Sequence, residues 1–229
     1  MNNIAIIPAR GRSKRIPRKN IKNFLGKPII AYSIEATLNS NLFTEIMVST
    51  DDEEIAEIAL KYGAKVPFLR SKQNSDDYAG TSVVLLEVLN NYIEKNINFD
   101  LACCIYPTAP LLKQANIIKA HNLLINEKFD SVFPVVKFSY PIFRALKIEN
   151  NKVKMIWEEN LTKRSQDLPD AFHDSGQFYW FKVNEFLNSK KLFTENIGAI
   201  VLDENEVQDI DNETDWKLAE MKYKLLNEI

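Results

Sequence analysis

A three-layer α/β fold with a mostly parallel sheet is predicted by three observations. Short apolar, β-rich runs alternate with segments of helical period from Ile4 to Val136, which is the rhythm of strand and crossover helix. Cap and stop residues such as Thr50-Asp51-Asp52 and Gly63 punctuate that rhythm. The chain has 229 residues, 45% hydrophobic and 26% charged, enough for one sizeable core without staples.

The first strand is residues 4–7, apolar throughout and therefore buried on both faces. A polar stretch containing Gly and Pro, residues 9–23, follows as a long loop. A helix is predicted over 28–39, because Ile29, Ile30, Ser33, Ile34, Thr37 and Leu38 recur with helical spacing and Pro28 suits a first turn. Residues 46–48 are the second strand. Thr50-Asp51-Asp52 reads as an N-cap, Ile55, Ile58, Ala59 and Tyr62 as an apolar helix face, and Gly63 as its stop. A strand at 66–69, a helix at 81–95, a strand at 101–106, a helix at 114–126 and a strand at 131–136 continue the alternation. Strands return at 177–181 and 199–202, and a helix over 214–227 closes the chain.

Between 137 and 169 the pattern changes. Charged and aromatic residues interleave, Asn150-Asn151 signals a turn, and short alternating runs lie around 145–148 and 153–157. This reads as an extended hairpin. A hairpin has too little core to stand alone, so a second subunit is its expected support, and residues 137–169 are expected to be a dimerisation arm on a single domain spanning 1–229.

Lys plus Arg number 29 against 31 Asp plus Glu, a formal net charge of -2. That balance argues against a nucleic-acid backbone as partner, which calls for a cationic excess. Cys103 and Cys104 are adjacent inside an apolar run and read as small buried hydrophobes of a reducing compartment. The first residues lack the charged and apolar regions of a signal peptide, and no run approaches a membrane span. A cytoplasmic protein without membrane or nucleic-acid partners is expected.

Chemistry first announces itself just after the first strand. Arg10, Arg12, Lys14, Arg15, Arg18 and Lys19 place six cations within ten residues. In a chain of slight negative charge this is a local anion site, and the carboxyl end of a parallel strand is where α/β sheets bind ligands. Gly11 and Ser13 suit the approach of backbone amides to phosphate oxygens. The spacing is not that of a Walker loop. A solvated basic loop is the plain alternative, against which the two prolines and the position favour an ordered cradle.

These residues, Pro8-Ala9-Arg10-Gly11-Arg12-Ser13-Lys14-Arg15-Ile16-Pro17-Arg18-Lys19-Asn20, resemble the loop of the CMP-sialic acid synthetase (acylneuraminate cytidylyltransferase) family. Tyr106-Pro107-Thr108-Ala109-Pro110, Arg164-Ser165-Gln166-Asp167-Leu168-Pro169 and the stretch His173-Asp174-Ser175-Gly176-Gln177-Phe178-Tyr179-Trp180 are most similar to its branch acting on pseudaminic acid. The likeness spans essentially the whole chain. It implies a Rossmann-like nucleotidyltransferase fold, CTP and a nonulosonic sugar acid as substrates, Mg²⁺ as cofactor and a homodimer. It further implies that Arg10, Gly11, Ser13, Lys14 and Lys19 hold the triphosphate and that Asn20 touches cytosine. If it holds, the product would feed glycosylation of bacterial surface structures such as flagella.

Asp209-Ile210-Asp211 is the second constellation. Two residues separated by one share a face of a strand, so both carboxylates can reach one hard cation. By itself the pair reads as readily as a solvated turn or the cap of the last helix. Beside a phosphate cradle it gains meaning, because nucleotidyl transfer usually enlists Mg²⁺, and the resemblance places the metal at Asp209 and Asp211. The same resemblance assigns Arg70, Ala79 and Thr81 to the cytosine, while Asp77 or Thr81 also reads as a helix cap.

A sugar acid needs a cation for its carboxylate and polar groups for its amides and hydroxyls. Arg164, Gln166, His173 and Gln177 fit that need, and the resemblance adds Arg144, with Arg144 and Arg164 lent to the neighbouring subunit. Tyr106 and Leu112 stand where the N-acetylneuraminate enzymes typically carry Gln and Arg, which points to another sugar. The expected reaction is in-line attack of the anomeric hydroxyl on the α-phosphorus of CTP. Arg10, Lys14 and Lys19 would stabilise the departing pyrophosphate, and Asp211 is one candidate for the base. N-acetylneuraminate, legionaminate and 3-deoxy-manno-octulosonate are the alternative acceptors, and a non-catalytic nucleotide sensor is the alternative of another class.

Overall fold

The computed structural model describes residues 1–75 and 80–228. Its strands and helices follow in the order β1 (Asn3–Pro8), β2 (Asn23–Phe24), β3 (Lys27–Pro28), α1 (Ile29–Asn39), β4 (Glu45–Ser49), α2 (Glu53–Lys61), α3 (Thr81–Glu94) and β5 (Leu101–Ile105). Then come α4 (Gln114–Asn126), β6 (Ser131–Lys137), β7 (Leu146–Glu149), β8 (Lys152–Met155), β9 (Phe172–Asp174), β10 (Phe178–Lys182), α5 (Val183–Ser189), β11 (Ile197–Leu202) and α6 (Glu213–Asn227).

The main sheet has the order β11-β6-β10-β5-β1-β4, with β9 pairing the end of β6. Neighbours β1 and β4, β1 and β5, and β6 and β11 are parallel. The mostly parallel sheet of the sequence reading is present, with β10 reversed between β5 and β6. The chain returns to β6 from residues 138–171 without a crossover helix, and a return of that kind runs antiparallel. β9 and β10 lie one after the other along β6. They are separated by residues 175–177, where Gly176 takes φ +65°.

Each strand of the middle alternates between two cores, the period-two rule of a sheet covered on both faces. Ala5, Ile7, Cys103 and Trp180 pack with Ile34, Ala59 and Ile117 of α1, α2 and α4. Ile4, Ile6, Cys104 and Phe181 pack with Leu85, Val88 and Phe186 of α3 and α5. Both cysteines are fully buried thiols whose pKa burial pushes up, in keeping with an inert, apolar role.

Three local expectations are corrected. Residues 66–69 form no strand; a single bridge joins Met47 and Lys65, and Pro67 has no N–H to extend the ladder. The N-cap of helix α3 is Gly80, which makes no side-chain cap bond, and Thr81 is the first helical residue, so Thr81 does not cap it; Asp77 lies outside the described residues. Asp209, Ile210 and Asp211 are not on a strand but in an irregular segment before α6. There the cap of α6 is a box made by Asn212 and Asp215, which answers its first amides. The short helix α5 and strand β9 had no clear periodic signal.

The arm region contains an isolated β7–β8 hairpin, turned at Asn150 and Asn151 with φ 51° and 61°. Leu146 faces Met155 and Ile148 faces Val153 across it, so these four share one face. Ile148 is 74% exposed and Leu146 59%. Among the described residues, no helix is long and apolar enough to cross a membrane.

Candidate functional site

The cation loop is anchored at both ends before it offers anything to a ligand. Gly11 donates its N–H to Asp51 Oδ1 at 2.9 Å, and a Cβ there would come within 2.5 Å of the Asp52 carboxylate. Only glycine lets the loop lie this close. Arg18, at φ 54°, grips Asp52 and Glu54. Its hydrogen bond holds the Asp52 carboxyl below the usual range. Ile16 is fully buried in a third cluster with Phe24, Tyr32, Ile210 and Trp216. That one cluster pins the cation loop and the Asp209–Asp211 segment together.

Beyond the carboxyl ends of β1 and β5 the loop walls a cleft of about 500 Å³. Arg10, Ser13, Lys14, Lys19, Asn20, Arg70 and Thr81 all line it, so the structure gathers most of the predicted nucleotide residues. Gly11 is not among the lining residues, its amide being bonded to Asp51. Ala79 lies outside the described residues. Asn20 is buried and donates from Nδ2 to the Arg10 carbonyl at 2.9 Å, which fixes the turn of the loop. Arg70 is buried, with Nε 3.1 Å from Ser49 Oγ; burial lowers its pKa, against the pull of Asp51 and Glu87. Arg15, Tyr106 and Thr108 also line the cleft. Of these, Arg15 belongs to the cation run and Tyr106 bears on the choice of sugar, while Thr108 had no role assigned from the sequence.

Lys19 connects the two constellations. Its Nζ donates to the Ile210 carbonyl at 2.7 Å, and burial lowers its pKa while the charges of Asp211 and Asp209 oppose that shift. Arg15 pairs with Asp211 at 2.6 Å. Asp209 has its carboxyl pushed up by desolvation and by the charge of Asp211. Two carboxylates that repel one another beside Lys19 and Arg15 are a donor set suited to a hard dication shared with phosphate oxygens. Among the described residues no group of three or more His, Cys, Asp or Glu gathers as a self-sufficient metal site.

Asp209 lines a second cleft, of about 390 Å³, with His173, Asp174 and Ser175. The His173 ring meets that of Phe138 at a tilt of 59° with centroids 4.9 Å apart, and its Nδ1 is 2.9 Å from the Asp174 carbonyl. Gln177 is buried, donating to the Glu206 carbonyl at 2.6 Å. Gln166 is elsewhere, at a cleft at the base of the arm. Arg164 is exposed and held bidentately by Asp167 at 2.8 and 3.0 Å. Arg144 sits half-buried in a short helical turn, Ile142–Arg144. Of the predicted sugar residues, then, one chain brings His173 to the cleft beside Asp209, and leaves Arg144, Arg164 and Gln166 on the arm.

Comparison with known proteins shows the family. Residues 4–217 fit the family model described as Cytidylyltransferase. The chain is 47% identical over 229 residues to a protein of Campylobacter jejuni subsp. jejuni named pseudaminic acid cytidylyltransferase, covering 100% of this chain and 99% of that one. It is 32% identical over 232 residues to the CMP-N,N'-diacetyllegionaminic acid synthase of Legionella pneumophila, covering 100% and 99%. A solved structure of CMP:2-keto-3-deoxy-manno-octonic acid synthetase complexed with CTP superposes with a TM-score of 0.73 over 100% of both chains at 15% identity, a likeness of fold.

Proposed function

The chain belongs to the cytidylyltransferase family, and from that premise we propose that it joins CTP to pseudaminic acid, giving a CMP-sugar and pyrophosphate. The observation that carries this reading is the tie of the cation cleft to the Asp209–Asp211 segment through Lys19 and Arg15. It ties the phosphate-binding cations of that cleft to the segment that carries the paired carboxylates. The choice of sugar rests on the 47% identity to a named pseudaminic acid enzyme, together with Tyr106 and Leu112 in place of the Gln and Arg of the N-acetylneuraminate enzymes.

CTP lies in the cleft, its triphosphate against Arg10, Ser13, Lys14 and Lys19 and its base toward Asn20, Arg70 and Thr81. The anomeric hydroxyl of the sugar acid approaches from the second cleft, past Asp209, in line with the bond to pyrophosphate. Charge grows on the leaving oxygens, and cations already held in place by Ile16 and the Ile210 carbonyl stabilise it without reorganising. Asp209 and Asp211 would hold Mg²⁺, which supplies charge neutralisation at the α-phosphate when bound. Asp211, paired with Arg15, is one candidate to take the hydroxyl proton.

The exposed apolar face of the β7–β8 hairpin supports a homodimer in which each arm carries Arg144 and Arg164 to its neighbour. The test is pyrophosphate release with CTP, Mg²⁺ and a panel of pseudaminic, legionaminic, N-acetylneuraminic and 3-deoxy-manno-octulosonic acids. Release confined to pseudaminic acid is expected; release with another acid overturns the substrate, and silence with CTP bound overturns the activity.

A further inference from the structure

We propose that Asp174 is a recognition group for the sugar acid, accepting hydrogen bonds from its amide N–H or hydroxyl donors, and that Tyr179 holds it in position. The inference rests on the reading above and deepens it. Asp174 ends β9 at the kink before β10 and lines the second cleft together with Asp209. Its Oδ1 accepts from the Gly176 N–H at 2.8 Å and its Oδ2 from the Tyr179 hydroxyl. The kink itself comes close to Asp209, since a Cβ on Gly176 would lie 4.0 Å from the Asp209 Cγ.

An ionised carboxylate is an acceptor only, with about four lone-pair directions. Two are answered by the protein, and Asp174 is exposed, so others remain for a ligand. Ser175 Oγ, buried in the wall of the same cleft, has no hydrogen-bond partner among the described residues. An acceptor carboxylate selects a ligand by its donors, because an analogue lacking the N–H or O–H leaves the carboxylate desolvated and unpaired.

The orientation of Asp174 is enforced from behind. Tyr179 is 6% exposed and its phenol is kept protonated by burial, so it remains a donor. Its ring meets that of Tyr106 edge-to-face at 5.6 Å. The Tyr106 hydroxyl lies 3.2 Å from Thr81 Oγ1, in the wall of the nucleotide cleft. A continuous row, Thr81, Tyr106, Tyr179, Asp174, therefore runs from one cleft to the other. Tyr179 acts through Asp174 and is a positioning residue.

Steady-state kinetics on the full-length protein, with CTP affinity measured separately by calorimetry, test this. Asp174→Asn is expected to raise KM for the sugar acid about ten- to hundredfold, with kcat and the Kd for CTP within about threefold. Tyr179→Phe should shift the same KM in the same direction by less. An unchanged sugar KM in Asp174→Asn, or CTP and sugar weakened in parallel, overturns the inference. If Asp174→Asn fails to fold by circular dichroism, Tyr179→Phe decides by the same split between KM and CTP affinity. Inactivity of the unaltered protein toward every sugar acid overturns the cytidylyl-transfer reading, and this inference with it; that failure is told apart because it appears before any substitution is made.

Discussion

Lys19 Nζ donates to the Ile210 carbonyl at 2.7 Å, joining segments 191 residues apart. The cation therefore does two things, closing the wall of the cleft and fixing the backbone between Asp209 and Asp211. Lys19→Met should lower pyrophosphate release about a hundredfold or more, the scale of losing one preorganised charge donor. Its thermal unfolding should change far less, and a variant with full activity would remove Lys19 from the machinery.

Asp209→Ala with Asp211→Ala should lower turnover by on the order of a thousandfold, the equivalent of several kcal/mol of charge stabilisation. The unaltered protein should lose activity in EDTA and regain it with Mg²⁺. Activity indifferent to chelator would contradict the assignment of these carboxylates.

Ile210 is fully buried between Ile16 and Trp216. Ile210→Ala should cost about 2–5 kcal/mol in urea unfolding, the range for such core truncations. It should also weaken CTP binding, because the cation loop shares that cluster. A stability loss without any change in CTP affinity would show that the cluster does not align the loop.

Asp52 caps α2, accepting from the Ile55 N–H at 3.1 Å, and is bonded by Arg18. Its folded pKa lies below the unfolded value of 3.8, so its stabilisation is present above that value and is lost as pH falls through the folded one. Asp52→Ala should cost about 1–2 kcal/mol at neutral pH. Its stability should then fall less steeply with acid than that of the unaltered protein; parallel acid profiles would refute the coupling.

Ile148→Asp places a charge on the exposed apolar face of the β7–β8 hairpin. Light scattering should then report the 26.4 kDa monomer where the unaltered protein gives twice that mass. Since Arg144 and Arg164 lie on the same arm, sugar affinity should fall along with dimerisation. A monomeric unaltered protein would dispose of the arm's proposed role.

Apart from α5, the strands and helices of the two sheet cores were legible because their signal is local. Ile4–Ile7 and Leu101–Ile105 are apolar at every position, and Ile55, Ile58, Ala59 and Tyr62 repeat at the helical period. The cation run was legible because charge density needs no partner to be seen. The chain alone also raised Asp209 and Asp211, but left them between a strand, on which alternation would put both on one face, and a turn before the last helix; the segment is irregular and held by Ile210, Lys19 and Asp215.

What only the tertiary structure decided is which cations face the cleft and which serve the fold. Arg18 and Lys19 are neighbours in a basic run, yet one holds Asp52 and the other the Ile210 carbonyl. The row from Thr81 through Tyr106 and Tyr179 to Asp174 likewise draws on three separate parts of the chain. Periodicity and composition report how each residue stands to its near neighbours, because local backbone geometry and burial set those patterns. Hydrogen bonds and ion pairs depend on distance and direction in space, and those exist only once the sheet has brought β1, β5, β10 and the approach to α6 to one edge.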